Sequence, residues 1–142
     1  MNFAEVKRIL CNAFEASWTS TKLAFGNEIL DTEPFWTRMV VRELSSEQYT
    51  MGPVGARKFR RDCTVFVDVF SPVEGAWRDV TEGGEDAGSL LGEDVRRFFE
   101  STTLAPAKFR GCTVNNPARD EDAKGRWWVT RASAPFYFIE VA

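Results

Sequence analysis

Histidine is absent from the 142 residues of this chain. The absence removes the commonest general base, the imidazole metal ligand and every Ser-His or Cys-His nucleophile. Carboxylate chemistry remains, and its best candidate is Asp68, which alternates with Phe66 and Phe70, paired with Glu140 near the chain end. A partly buried acid of that kind can have a perturbed pKa suited to proton transfer. The plainer reading is a structural salt bridge from Asp68 to Arg38, Arg42 or Arg131 on an adjacent strand. Cys11, Cys63 and Cys112 are about fifty residues apart with no C-x-x-C pair, which argues against a disulfide framework and a zinc site. Two of them fall in apolar periodic segments, where a thiol packs as a small hydrophobe, so all three read as structural thiols in a reducing compartment. No catalytic, cofactor or metal set emerges, and the chain is not expected to be an enzyme.

Two loops imitate ligand loops. "GGEDAGS" places Gly83 and Gly88 at phosphate-loop spacing, but Ser89 and Leu90 follow where Lys and then Ser or Thr are needed, and Glu85 and Asp86 repel a phosphate. It reads as a flexible, Gly-rich acidic linker. "RDEDAKGR" groups Asp120, Glu121 and Asp122 but lacks the remaining ligand positions and the closing Glu of a calcium loop, so it reads as a solvated hairpin tip. The remaining charged feature is basic. Arg57, Lys58, Arg60 and Arg61 crowd into five residues of a chain whose net charge is −3. They suit a nucleic-acid patch, a solvated arm, or a contact with acidic surface on a neighbour.

The elements that carry these residues follow from periodicity. "NFAEVKRILCNAFEASW" is an amphipathic helix with Phe3, Val6, Leu10, Ala13 and Phe14 on one stripe, and Asn2 with Glu5 forms a capping-box variant at its start. A short extended segment is expected around Leu23–Phe25, with a turn at Gly26-Asn27. "PFWTRMVVREL" and "CTVFVDVF" alternate as strands, the first with Phe35, Thr37, Met39 and Val41 on its drier face. The seventeen residues between them, "SSEQYTMGPVGARKFRR", are too many for an ordinary hairpin loop and predict a long arm in which the strands extend as a β-ribbon. "SLLGEDVRRFFES" predicts a second helix with Leu91, Val95, Phe98 and Phe99 buried and with Gly92 costing about 1 kcal/mol of helix propensity. Two strands follow, "FRGCTVN" and "RWWVTRASAPFYFIEVA", the latter expected to bulge or lie at an edge at Pro135. Its Trp127-Trp128 pair sends one indole to each face, so a two-layered core or a neighbouring subunit must cover the ring that faces away from the helices. The expected architecture is one α+β domain, residues 1–142: a mainly antiparallel sheet with two amphipathic helices on one face and an arm near residues 45–62. No apolar run approaches the roughly 18 residues of a membrane span, and the charged N-terminus does not read as an export signal.

In the order of its features, from Phe3 to Val141, the chain resembles the tail terminator (tail completion) proteins of long-tailed bacteriophages. The likeness rests on the N-terminal helix, "LAFGNEIL", the strand "PFWTRMVVREL", the Gly-containing turn region "YTMGPVGARKFRRD", the strand "CTVFVDVFSPVEG", the helix "AGSLLGEDVRRFFES" and the Trp-containing "WWVTRASAPFYFIEV". The basic run and the acidic insert Glu82–Asp86 depart from that pattern. The resemblance implies a hexameric ring that caps the tail tube, ends tail elongation and offers an interface to the head–tail connector or stopper protein. It also implies a non-enzymatic protein without cofactors, located in the tail or neck of the virion, assembled in the host cytoplasm, and passing DNA through its ring without specific binding. A closed ring needs a head-to-tail contact between two different patches. The expected contact residues are Tyr49, Met51, Arg57, Lys58, Phe59, Arg60 and Arg61 of the arm against Glu82, Glu85 and Asp86 of a neighbour, with Trp128 as a further interface ring. The alternatives are a head-closure or head–tail joining protein of the same neck, a small carboxylate enzyme, or a monomeric binding module.

Overall fold

The computed structural model describes residues 2–26, 35–72, 84–119 and 127–142. Two helices pack on a seven-stranded, mostly antiparallel sheet, which makes the fold α+β. Helix α1 (Phe3–Ser17) opens on a complete capping box: the Glu5 N–H donates to Asn2 Oδ1 at 2.9 Å, and the Asn2 N–H donates to Glu5 Oε2 at 2.8 Å. Strand β1 (Lys22–Phe25) pairs in parallel with β2 (Trp36–Gln48), with Gly26 at φ +65° turning the chain away from β1. β2 is antiparallel to β3 (Lys58–Pro72), and β3 to β7 (Trp127–Val141). The outer edge of β7 carries three short strands, β4 (Lys108–Phe109), β5 (Thr113–Val114) and β6 (Ala118–Arg119). "FRGCTVN", expected as one strand, is therefore divided between β4 and β5 around Gly111, whose φ of +123° breaks the extended run.

Both helices lie on the same sheet face. Val6, Leu10 and Phe14 of α1 and Ala87, Leu91, Val95 and Phe99 of α2 (Gly84–Ser101) meet Met39, Val41, Cys63, Val65, Val67, Val69 and the even-numbered Ala132–Phe138 side of β7 in one core. Aromatic rings bind the layers together. Phe14 stacks on Trp18 at 5.3 Å and meets Phe98 edge-on at 5.1 Å, and the chain of rings continues through Phe99 and Phe109 to Phe136. The generous aromatic content thus serves the interior first.

Helix α2 begins earlier than its apolar stripe suggests. The segment expected to be a flexible linker is helical from Gly84, so Gly88 sits inside a helix and not in a loop. Gly88 and Gly92 share a helix face pressed onto the sheet. A Cβ at Gly88 would lie 2.7 Å from Thr130 Oγ1, and one at Gly92 would lie 2.8 Å from Val114 Cγ1. The cost of Gly92 to helix propensity is offset by this close approach.

Pro135 causes no bulge. The β3–β7 register runs unbroken from Lys58↔Val141 to Pro72↔Trp127, with Thr64 opposite Pro135. The Pro135 carbonyl accepts the Arg110 N–H at 3.2 Å, so its backbone polar side faces β4, where the missing N–H leaves the β3 ladder intact.

The helix-free face holds a second, smaller core. Trp36 stacks on Phe70 at 3.8 Å, Trp127 meets both rings edge-on, and Ala24 completes the cluster. Trp127 is the indole turned away from the helices, and it is buried here; Trp128, on the helix side, is half-buried. Of the two coverings expected for the outward ring, the chain itself provides one.

Candidate functional site

The long connection between β2 and β3 becomes a ribbon. Pairing continues to Gln48↔Phe59, with a register shift between Glu43 and Ser45 that leaves Leu44 as the extra residue of a bulge. Every residue of β2 from Arg42 to Gln48 is exposed, a stretch of about 23 Å at 3.3 Å per residue. β1 pairs with β2 only as far as Met39, and among the described residues no strand covers the β2 edge beyond it. The tip is well tied. Lys58 C=O accepts the Tyr49 N–H at 2.6 Å, the Lys58 N–H donates to Thr50 Oγ1 at 2.9 Å, and the Ala56 N–H closes a turn onto Pro53 C=O at 3.1 Å. Gly55, at φ +95°, takes a conformation in that turn that a side chain would disfavour. The Ala142 N–H donates to Arg57 C=O at 2.8 Å, and β7 flanks β3 as far as Lys58↔Val141, so Ala142 is fastened beside the tip turn.

This ordered tip is apolar and uncovered. Met51 is 93% exposed, Val54 84%, Tyr49 65% and Leu44 64%. Exposed large apolar side chains gathered on one projection mark an interaction surface. Tyr49 and Met51 are among the contact residues expected from the sequence. Leu44 and Val54 are not; the first is the extra residue of the bulge and the second lies in the tip turn.

The basic run divides between the two faces of β3. On the helix side, Arg61 Nε reaches Glu140 Oε2 at 3.0 Å, its Nη1 donates to the Ser46 hydroxyl, and its guanidinium lies over Phe59 at 4.8 Å. On the opposite side, Arg60 pairs with Asp62 at 3.2 Å and lies over Tyr137 at 4.2 Å. Arg57 lies over Phe59 at 5.5 Å and Lys58 is exposed, and neither has an ion-pair partner among the described residues. Half of the cluster is therefore neutralised within the sheet, Arg60 by Asp62 on its own strand and Arg61 by Glu140 on β7. Of the expected acidic counterparts, Glu82 lies outside the described residues, while Glu85 and Asp86 belong to the start of α2 and not to a loop.

Asp68 and Glu140 do not converge. Asp68 faces away from the helices and Glu140 toward them, nine residues apart by register, since Asp68 pairs with Arg131 and Glu140 with Phe59. Asp68 is 1% exposed and held by Arg131 through Nε at 2.7 Å and Nη2 at 3.1 Å, with Arg38 Nη2 at 3.4 Å on the other flank. The hydrogen bond to Asp68 raises the Arg131 pKa and holds its guanidinium charged. Arg38 lies over Phe70 at 5.2 Å and Arg131 over Phe66 at 4.8 Å. With Arg42 they border an open depression of about 260 Å³. Farther along the same face, Arg60, Lys108 and Arg110 surround the Tyr137 ring at 4.2, 5.7 and 5.2 Å. No sequence signal joined these three cations, because the pairing of β7 with both β3 and β4 brings them together.

Among the described residues no group of three or more Cys, Asp or Glu could hold a metal ion, and no helix is long and apolar enough to cross a membrane. No family model matches this chain, and no curated protein does either.

Proposed function

We propose that this chain is a structural subunit that assembles with copies of itself into a closed ring, and that the ring is a phage tail terminator. In this reading a ring of about six subunits caps the tail tube, ends its elongation and presents a surface to the head–tail connector. The ordered ribbon with its uncovered apolar tip carries the reading, because such a projection leaves one subunit with a surface only another protein can bury. The free β2 edge offers backbone N–H and C=O groups to a neighbouring strand, and a tip and an edge are two different patches, as head-to-tail closure requires. The resemblance of the sequence, in the order of its features, to tail terminators suggests the biological setting.

Native mass of the purified chain, alone and with tail tubes, tests assembly. The expected result is a ring, lost in a Tyr49→Ser, Met51→Ser, Val54→Ser variant whose unfolding midpoint is unchanged. Particles lacking the protein test the role: overlong tails support termination, whereas tails of normal length beside leaking heads would assign the chain to head closure.

A further inference from the structure

We propose that the helix-free face of the sheet binds the phosphodiester backbone of nucleic acid, without base specificity, at two cationic clusters. The first is Arg38, Arg42 and Arg131 around Asp68, and the second is Arg60, Lys108 and Arg110 around Tyr137 with Asp62. Strand alternation adds Lys22 and Lys58 to this face, whereas its carboxylates among the described residues are Asp62, Asp68 and Glu47. A chain of net charge −3 therefore turns a positive surface outward on one side.

Three features select a phosphate backbone over an acidic protein surface. Four of the guanidinium groups lie over aromatic rings, at 5.2 Å (Arg38), 4.8 Å (Arg131), 4.2 Å (Arg60) and 5.2 Å (Arg110), which orients them. Arg38 and Arg131 give N–H groups to Asp68 and Arg60 to Asp62, and their remaining N–H groups, with those of Arg110, are left for phosphate oxygens. Asp68 and Asp62, which mark the cluster centres, are six residues apart on β3. That is about 20 Å, the length of about six successive phosphates on one strand of a duplex. Most of the exposed large apolar side chains that anchor protein interfaces lie off these clusters, Tyr49, Met51 and Val54 at the tip and Leu90 on α2, while Leu44 and Val141 lie beside the clusters on β2 and β7.

The proposal does not rest on the ring reading: a monomer that binds DNA would overturn the ring alone. The test is fluorescence anisotropy of a labelled oligonucleotide of about 20 bases, single-stranded and duplex, titrated with the full chain from about 50 to 200 mM NaCl. Binding is expected to weaken steeply with salt. Arg42→Gln with Lys108→Gln, two exposed positions without ion pairs among the described residues, should lower affinity about tenfold and reduce the salt slope by about 2. Thermal unfolding of the variant, expected to match the parent, separates lost binding from lost fold. Absence of binding at the lowest salt, an unchanged slope in the double variant, or displacement by poly-glutamate as effective as by unlabelled DNA would each overturn the proposal, the last by assigning the face to an acidic protein.

Discussion

Asp68 shows why a residue suited to catalysis can be structural. Its carboxylate is buried on a strand and would be costly there without the two guanidiniums that hold it. Arg131→Gln leaves it with the 3.4 Å contact to Arg38, and should cost about 3 kcal/mol in urea unfolding. Asp68→Asn, which removes the buried charge itself, should cost less. The reverse order would show that the pair does not act through desolvation. The cysteines follow the same logic. Burial raises the Cys63 thiol to about 12 and the Cys112 thiol to about 11, against an ordinary 9.0. The folded state thus favours the neutral thiol, a contribution fully present below pH 9 and lost as pH rises toward 12. At about pH 10.5 the loss from Cys63 should be about 2 kcal/mol, and Cys63→Ala should show a correspondingly shallower alkaline decline in unfolding free energy.

At the scale of elements, backbone proximity decides positions that propensity alone misreads. Gly92 reads as a weak point of α2, and replacement by Ala improves intrinsic helicity by about 1 kcal/mol. The added methyl meets Val114 Cγ1 at 2.8 Å and Thr130 Cγ2 at 3.0 Å, both in packed strands. Gly92→Ala is therefore expected to destabilise by about 1–3 kcal/mol in chemical denaturation, against the propensity gain. Stabilisation instead would mean that α2 lifts off the sheet at little cost. Pro135 teaches the same point about strands. A residue that interrupts a ladder on one side is harmless when its missing donor faces the other. The arm is the converse case, since its length alone announced a ribbon while its bulge at Leu44 depended on the pairing of β2 with β3.

Among the described residues, the helices close one sheet face and the other carries a small aromatic cluster and a field of cations, with the tip of the β2–β3 hairpin extending past the paired strands. Apolar tip and cationic clusters are different sets of residues, so the two proposals separate experimentally: the tip variant is expected to lose self-association and keep DNA binding, while Arg42→Gln with Lys108→Gln is expected to lose DNA binding. Sequence by itself determined both helices, the alternating faces of β2, β3 and β7, the capping box and the extended arm, because periodicity and end chemistry are local properties of the chain. It also narrowed Asp68 to a partner among Arg38, Arg42 and Arg131. Only the tertiary structure decided that Arg38 and Arg131 share that acid, that Arg61 of the basic run reaches Glu140 on β7, and that Arg60, Lys108 and Arg110 converge on Tyr137. Those groupings depend on strand register and strand order, where a shift of one residue sends every side chain to the opposite face.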